Sequence, residues 1–203
     1  VVLGPAQRAD FIVDLGDTSL TINETHNGDP YPAVTLNVVE TNQPLVAKET
    51  LKQPTLELPP TLIDVAIPLH MQGGAMGNLR EANFKGQLLP IRELAQTYRK
   101  AWAFNGQVAD HHDHLAKIKI GETVSIKVWN DTRWNHAMHL HGHHFWIQTE
   151  DGVFLDGKRD TYLFQRGEKA NLIFVADNPG LWLFHCHMLE HHAAGMAGVI
   201  EIT

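Results

Sequence analysis

Two short segments near the C-terminus hold the residues best suited to chemistry. They are His136-Ala137-Met138-His139-Leu140-His141-Gly142-His143 and His185-Cys186-His187-Met188-Leu189-Glu190-His191, with Met196 following. Nine of the fourteen histidines lie between positions 136 and 192, and the single cysteine is among them. One thiolate, several imidazoles and a thioether form a soft nitrogen and sulfur donor set, which suits copper. Two His, one Cys and a weak axial Met are the donors of a blue electron-transfer copper site. Zinc also accepts Cys and His and closes a tetrahedron, but zinc explains neither the thioether nor the adjacent His-x-His pairs.

The elements that position these donors can be read from periodicity. Leu181-Trp182-Leu183-Phe184 follows an Asn178-Pro179-Gly180 turn and reads as a buried strand. Side chains alternate across a strand. A strand continuing through 187 points His185 and His187 one way and Cys186 the other. The same parity puts His139 and His141 on one face and His136 on the opposite one. Two donor groups follow: His136, Cys186, His191 and Met196 in the first, and His139, His141, His185 and His187 in the second. The stretch 188–194 reads as a short helical turn that brings His191, then Met196, back towards Cys186. Cys186 is bonded to both flanking histidines, so the two groups are joined by a short covalent path. The second group suits more than one metal ion and is unfinished within this chain.

These segments closely resemble the signatures of the multicopper oxidases, the family of laccases, bilirubin oxidases and ascorbate oxidase. The family's His-Pro-x-His-x-His-Gly motif appears here with Ala137 in place of proline, and the His-Cys-His segment, His191 and Met196 match in spacing. The resemblance implies that His136, Cys186, His191 and Met196 bind a type 1 copper. It implies that His139 binds the type 2 copper, and that His141, His185 and His187 bind the binuclear type 3 pair, with four copper ions in the complete enzyme. Glu190 matches an acidic position that relays protons to bound oxygen in bacterial members. The stretches 102–106, 121–124, Arg159-Asp160-Thr161 and 176–180 are also similar to bacterial laccase-type sequence, and Gly4-Pro5-Ala6-Gln7-Arg8-Ala9-Asp10 resembles a stretch late in the family's second domain. The trinuclear centre of the family uses four His-x-His pairs, and this chain supplies the two third-domain pairs. The implied partner is an N-terminal fragment or subunit carrying the first domain and the rest of the second.

The chain has 203 residues and opens Val1-Val2-Leu3, with no basic and hydrophobic leader, so it reads as a C-terminal fragment or as one subunit of a split enzyme. A formal charge of −7 gives no reason to expect nucleic acid, and 43% hydrophobic content is ordinary for a globular protein. No apolar run approaches membrane-spanning length. One cysteine excludes an internal disulfide framework. The resemblance implies a periplasmic or secreted location.

The architecture expected is all-β: a cupredoxin-like Greek-key β-sandwich preceded by the C-terminal part of a second cupredoxin domain. Short strand-like pieces at 11–15, 20–22 and 33–39 form that tail, residues 1–48. A Pro-containing linker is expected over 49–66, and the copper-binding domain over 67–203. Within it, Pro90 is placed at a first helical position, and 118–120, 123–129, 145–149 and 170–176 read as strands. His143, His144 and His192 are expected to pack around the sites rather than bind metal. Asp110-His111-His112-Asp113-His114 reads as a charged surface loop, 71–76 as a Gly-rich loop, and Arg159-Asp160 as a structural ion pair.

The expected function is that of a laccase-like oxidoreductase, coupling one-electron oxidation of phenolic or similar small reductants to four-electron reduction of O₂ to water. The alternatives are a blue-copper electron carrier or copper-binding protein without O₂ chemistry, a cuprous oxidase acting in copper tolerance, and a two-domain copper enzyme of the nitrite reductase kind.

Overall fold

The computed structural model describes residues 1–13, 18–26, 28–39, 57–109 and 114–203. The chain divides into two units, Ala9–Thr55 and, together, Val1–Arg8 and Leu56–Thr203.

In the smaller unit, β1 (Leu20–Glu24) and β2 (Tyr31–Leu36) pair antiparallel, with a bulge between Ile22 and Asn23. The expected strand at 33–39 starts earlier and ends at Leu36, because it extends only as far as Leu20 offers a partner. Phe11–Val13 carries no regular structure. Asp14 and Leu15 lie outside the described residues.

The larger unit contains β3 (Val65–Gly73), β4 (Glu81–Phe84), β5 (Gln87–Pro90), α1 (Ile91–Thr97), β6 (Trp102–Phe104), β7 (His114–Ile118), β8 (Thr123–Asn130), β9 (His136–Leu140), β10 (Trp146–Thr149), β11 (Thr161–Phe164), β12 (Lys169–Val175), β13 (Gly180–Cys186), α2 (Leu189–Ala193) and β14 (Ala197–Ile202). Two five-stranded sheets organise it, in the orders β10-β12-β8-β3-β6 and β11-β9-β13-β14-β7. Alternation decides which side chains go inside. Along β3, Ile67, Leu69 and Met71 are buried in turn, as are Val124, Ile126 and Val128 along β8. They share one apolar cluster with Met138, Leu140, Phe164, Phe184 and Ile200 of the opposite sheet, so the two sheets close over a common core. The unit is therefore a β-sandwich, in line with the all-β expectation.

Several boundaries differ from the sequence reading, each for a pairing reason. β3 begins at Val65, inside the stretch read as linker (49–66), because Val65 and Ala66 continue a parallel ladder with Val124 and Ser125. β7 covers His114–Ile118 rather than 118–120, since its partner in β14 spans Val199–Ile202. His114 therefore starts a strand and pairs with Glu201 at 3.2 Å; positions 110–113 lie outside the described residues. Pro90 ends β5 and caps α1 with extended geometry (φ −61°, ψ 143°), and Ile91 is the first helical residue. Helix α1 is held mainly by burying Leu94.

Candidate metal centre

The site is built on the central strands of the second sheet. β9 and β13 run antiparallel with Leu140 opposite Phe184, His139 opposite His185, and Met138 opposite Cys186. Directly opposed residues share a face, so His139 and His185 face one way and Cys186 faces the other. β13 ends at Cys186, whose N–H donates to the Met196 carbonyl at 3.1 Å, and the His187 N–H donates to the Ala137 carbonyl at 2.7 Å. The chain then turns through α2. The N–H groups of His191 and His192 both donate to the Met188 carbonyl at 2.9 and 3.1 Å, and the Met196 N–H returns to the His191 carbonyl at 3.0 Å. Gly195 makes this return possible. Its φ of +114° disfavours a side chain, and a Cβ there would sit 2.6 Å from the Trp102 carbonyl oxygen.

The first donor group is compact. The ligand atoms of His136, Cys186 and His191 lie within 4.8 Å of one another. The Nδ1 atoms of His136 and His191 are 3.0 Å apart, and Cys186 Sγ stands 3.7 Å from each. All three edges are shorter than two metal–donor bonds of about 2 Å each, so a single ion can reach all three donors. Met196 is fully buried beside them. The Nε2 of His136 is held by the Thr132 hydroxyl at 2.8 Å, leaving Nδ1 towards the sulfur. Trp102 forms the wall of this pocket, with ring centroids 4.9 Å from His136 and 4.5 Å from His191. The Trp102 and Ala101 N–H groups both donate to the Ala194 carbonyl at 3.1 and 2.9 Å, which ties the wall to the His191–Met196 return.

Burial sets the protonation of this group. It pushes His136 down to about 3, with the neighbouring His191 adding to the effect. Burial also lowers His191, against a smaller opposing pull from Glu190, and raises the Cys186 thiol to about 11. The protein thus holds two neutral imidazoles, joined through their Nδ1 atoms, beside a protonated thiol. A soft cation that displaces the thiol proton offsets the desolvation that burial imposes, and binding releases that proton. The donors fit copper.

The second group lies on the opposite face and is more open. The ligand atoms of His139, His141 and His185 also lie within 4.8 Å of one another, with His141 exposed, His139 half-buried and His185 buried. His141 and His185 bring their Nε2 atoms to 3.1 Å. His139 and His185 are oriented from behind: His139 Nδ1 meets the Asp160 carbonyl and the Thr161 hydroxyl, each at 2.9 Å, and His185 Nδ1 meets the Cys186 carbonyl at 2.9 Å. Carbonyls only accept, so both Nδ1 atoms carry hydrogen and both Nε2 lone pairs face outward, the arrangement typical of metal-ligating histidines. His187 packs with its ring 5.5 Å from His139 and 5.6 Å from His185, outside the tight trio. Burial lowers His185 to about 4.

Among residues set aside in the sequence, His192 packs against His185 with the ring centroids 4.6 Å apart and the planes tilted by 42°. His143 is buried between Phe174 and Trp182. Glu190 is exposed in the first turn of α2. The Arg159-Asp160 ion pair does not form. Asp160 instead pairs with Arg8, at 3.0 Å, while Arg159 donates to the Asp156 and Gly157 carbonyls. The two side chains alternate across the chain and face different neighbours. Thr132 contacts His136 and carries no signature by which sequence alone marks it; Trp102 and Thr161 fall in stretches that resemble the family, but nothing in their spacing assigned them a contact with the donors.

A multicopper oxidase profile matches residues 86–203. The chain belongs to the multicopper oxidase family. Over 109 residues it is 35% identical to the multicopper oxidase MmcO of Mycobacterium tuberculosis, covering 54% of this chain and 21% of that protein. Over 175 residues it is 31% identical to copper resistance protein A of Escherichia coli, covering 80% of this chain and 27% of that protein. The structure of Lac15 from a marine microbial metagenome superposes with a TM-score of 0.59 at 29% identity, covering 92% of this chain and 39% of that one. The sandwich thus has the cupredoxin-like fold of multicopper oxidases. The chain spans about a quarter of the length of these curated relatives.

Proposed function

We propose that this chain is the C-terminal, type 1 copper-bearing part of a laccase-like multicopper oxidase. One observation carries the reading: consecutive residues of one strand, Cys186 and His185, belong to two donor groups on opposite faces of the sheet. In this reading His136, Cys186, His191 and Met196 hold the type 1 copper, His139 holds the type 2 copper, and His141, His185 and His187 hold the type 3 pair. Bound copper supplies one-electron chemistry that links four single-electron oxidations of a small reductant to reduction of O₂, with four protons, to two waters. The chain contributes a dry pocket, walled by Trp102, in which the thiolate is protected from solvent. It also contributes a covalent backbone path from Cys186 to His185 and His187, and a buried thioether at Met196 that would complete the donor set and would hold the potential below that of a non-coordinating residue there. In this reading Glu190, exposed in the first turn of α2, carries protons from solvent.

The open face of His139 and His141 calls for the remaining His-x-His pairs, supplied by a polypeptide carrying the first domain and the rest of the second. In domain terms, the segment from Ala9 to 48 continues the preceding cupredoxin domain, the link ends before Val65, and 65–203 form the third domain, to which Val1–Arg8 belong as one compact unit. The protein works in the periplasm or outside the cell. Likeness to proteins named for copper resistance favours a second reading within the same chemistry, in which Cu(I) is the reductant and the role is copper tolerance.

The copper-loaded assembly is expected to show an intense blue thiolate-to-copper band and to consume O₂ with a phenol or Cu(I). Cys186→Ser is expected to abolish both. A colourless copper-loaded protein that still oxidises phenols refutes the assignment; a blue protein that consumes no O₂ with either reductant points to a simple electron carrier instead.

A further inference from the structure

Two stretches that carry no metal donor, Gly4–Arg8 and Arg159–Thr161, meet behind His139. Thr161 of β11 lies directly opposite His139 of β9 and is buried. Its hydroxyl donates to Asp160 Oδ1 at 2.9 Å, which leaves its oxygen lone pairs for the His139 Nδ1–H at 2.9 Å. The Asp160 carbonyl accepts from the same Nδ1–H at 2.9 Å. Behind Asp160, the Arg8 guanidinium donates with both Nη atoms, at 3.3 Å to Oδ1 and 3.0 Å to Oδ2. The Arg8 segment is itself fastened to β11, because Gln7 Nε2 donates to the Thr161 carbonyl at 3.3 Å. His185, by contrast, has only the Cys186 carbonyl behind its Nδ1.

We infer that Arg8, Asp160 and Thr161 form a positioning relay that fixes the tautomer and ring orientation of His139, so that its Nε2 lone pair is presented to the metal. The polarity of the chain runs one way. Arg8 donates to the Asp160 carboxylate, which commits the Thr161 hydroxyl hydrogen to Asp160. Thr161 then acts on His139 purely as an acceptor. The Asp160 carbonyl already requires hydrogen on Nδ1, and the relay keeps the Thr161 hydroxyl from competing there as a donor, so that two acceptors hold the ring in one orientation. This inference rests on the reading of His139 as the type 2 copper ligand.

The test compares wild type, Thr161→Val and Thr161→Ser in the copper-loaded protein, with the completing polypeptide present. Type 2 copper is read by its paramagnetic resonance signal and by copper stoichiometry, and the type 1 blue band serves as an internal control. Thr161→Val is expected to weaken type 2 copper retention by about 10-fold or more and to alter its hyperfine splitting. The blue band is expected to stay, and Thr161→Ser to restore both properties. An unchanged type 2 signal in Thr161→Val overturns the inference alone. Joint loss of both signals without rescue by serine marks a general packing role and also overturns it. A wild-type protein lacking any type 2 signal overturns the assignment of His139, and the inference with it.

Discussion

The metal-free protein is expected to lose stability on acidification because of His136, and the size of the loss follows from its burial. Above pH 6.5 the imidazole is neutral in both folded and unfolded chains. Between 6.5 and about 3 the unfolded chain binds a proton that the folded pocket refuses. Stability is therefore present in full above 6.5 and declines as pH falls, by at most about 1.4 kcal/mol per pH unit. Over the whole window the limit is about 4 to 5 kcal/mol, a large share of the 5–15 kcal/mol typical of folded domains. Other histidines lowered by burial, among them His139, His143 and His191, steepen the same decline. The contribution of His136 is isolated with His136→Leu. The Thr132 hydroxyl keeps the Asn130 side chain and the Trp134 carbonyl as partners, so this variant leaves no orphan there. Denaturant unfolding of metal-free wild type and variant at several pH values between 7.5 and 4 gives the two slopes. The variant is expected to be flatter by about one proton's worth in that range. Equal slopes, or a wild type that gains stability on acidification, refute the argument.

Two further outcomes test the walls of the pocket. Trp102→Ala is expected to cost about 3 kcal/mol or more by opening a cavity against both imidazoles, and Trp102→Phe markedly less, by denaturation midpoint. Gly195→Ala is expected to cost at least about 2 kcal/mol from strain and the clash with the Trp102 carbonyl. Gly152→Ala, at φ +86° with open space around it, is the comparison and is expected to cost about 1 kcal/mol by the same assay.

Legibility in the sequence tracked the range of the interaction. Alternation along 136–141 and 185–187 is a local property of extended chain, so the placement of Cys186 opposite His185 could be read directly. The turn at 189–193 was also legible, because it must return His191 within a few residues. Arg8 and Asp160, 152 positions apart, could not be matched, since each also resembles an ordinary surface charge. Val65–Ala66 looked like linker because a parallel ladder depends on a partner far along the chain. Pro90 suits a first helical turn and an extended cap equally well through its fixed φ, and only ψ tells them apart.

Residue type and spacing alone determined the donor chemistry, the two-sided arrangement around Cys186 and the all-β class, because these depend on side-chain softness and a two-residue period. Tertiary structure decided how close the donors come, that burial keeps two imidazoles neutral beside a protonated thiol, and that Trp102 and Thr161 stand behind them. Those outcomes depend on which distant strands exclude water from the same volume, and no local pattern encodes that.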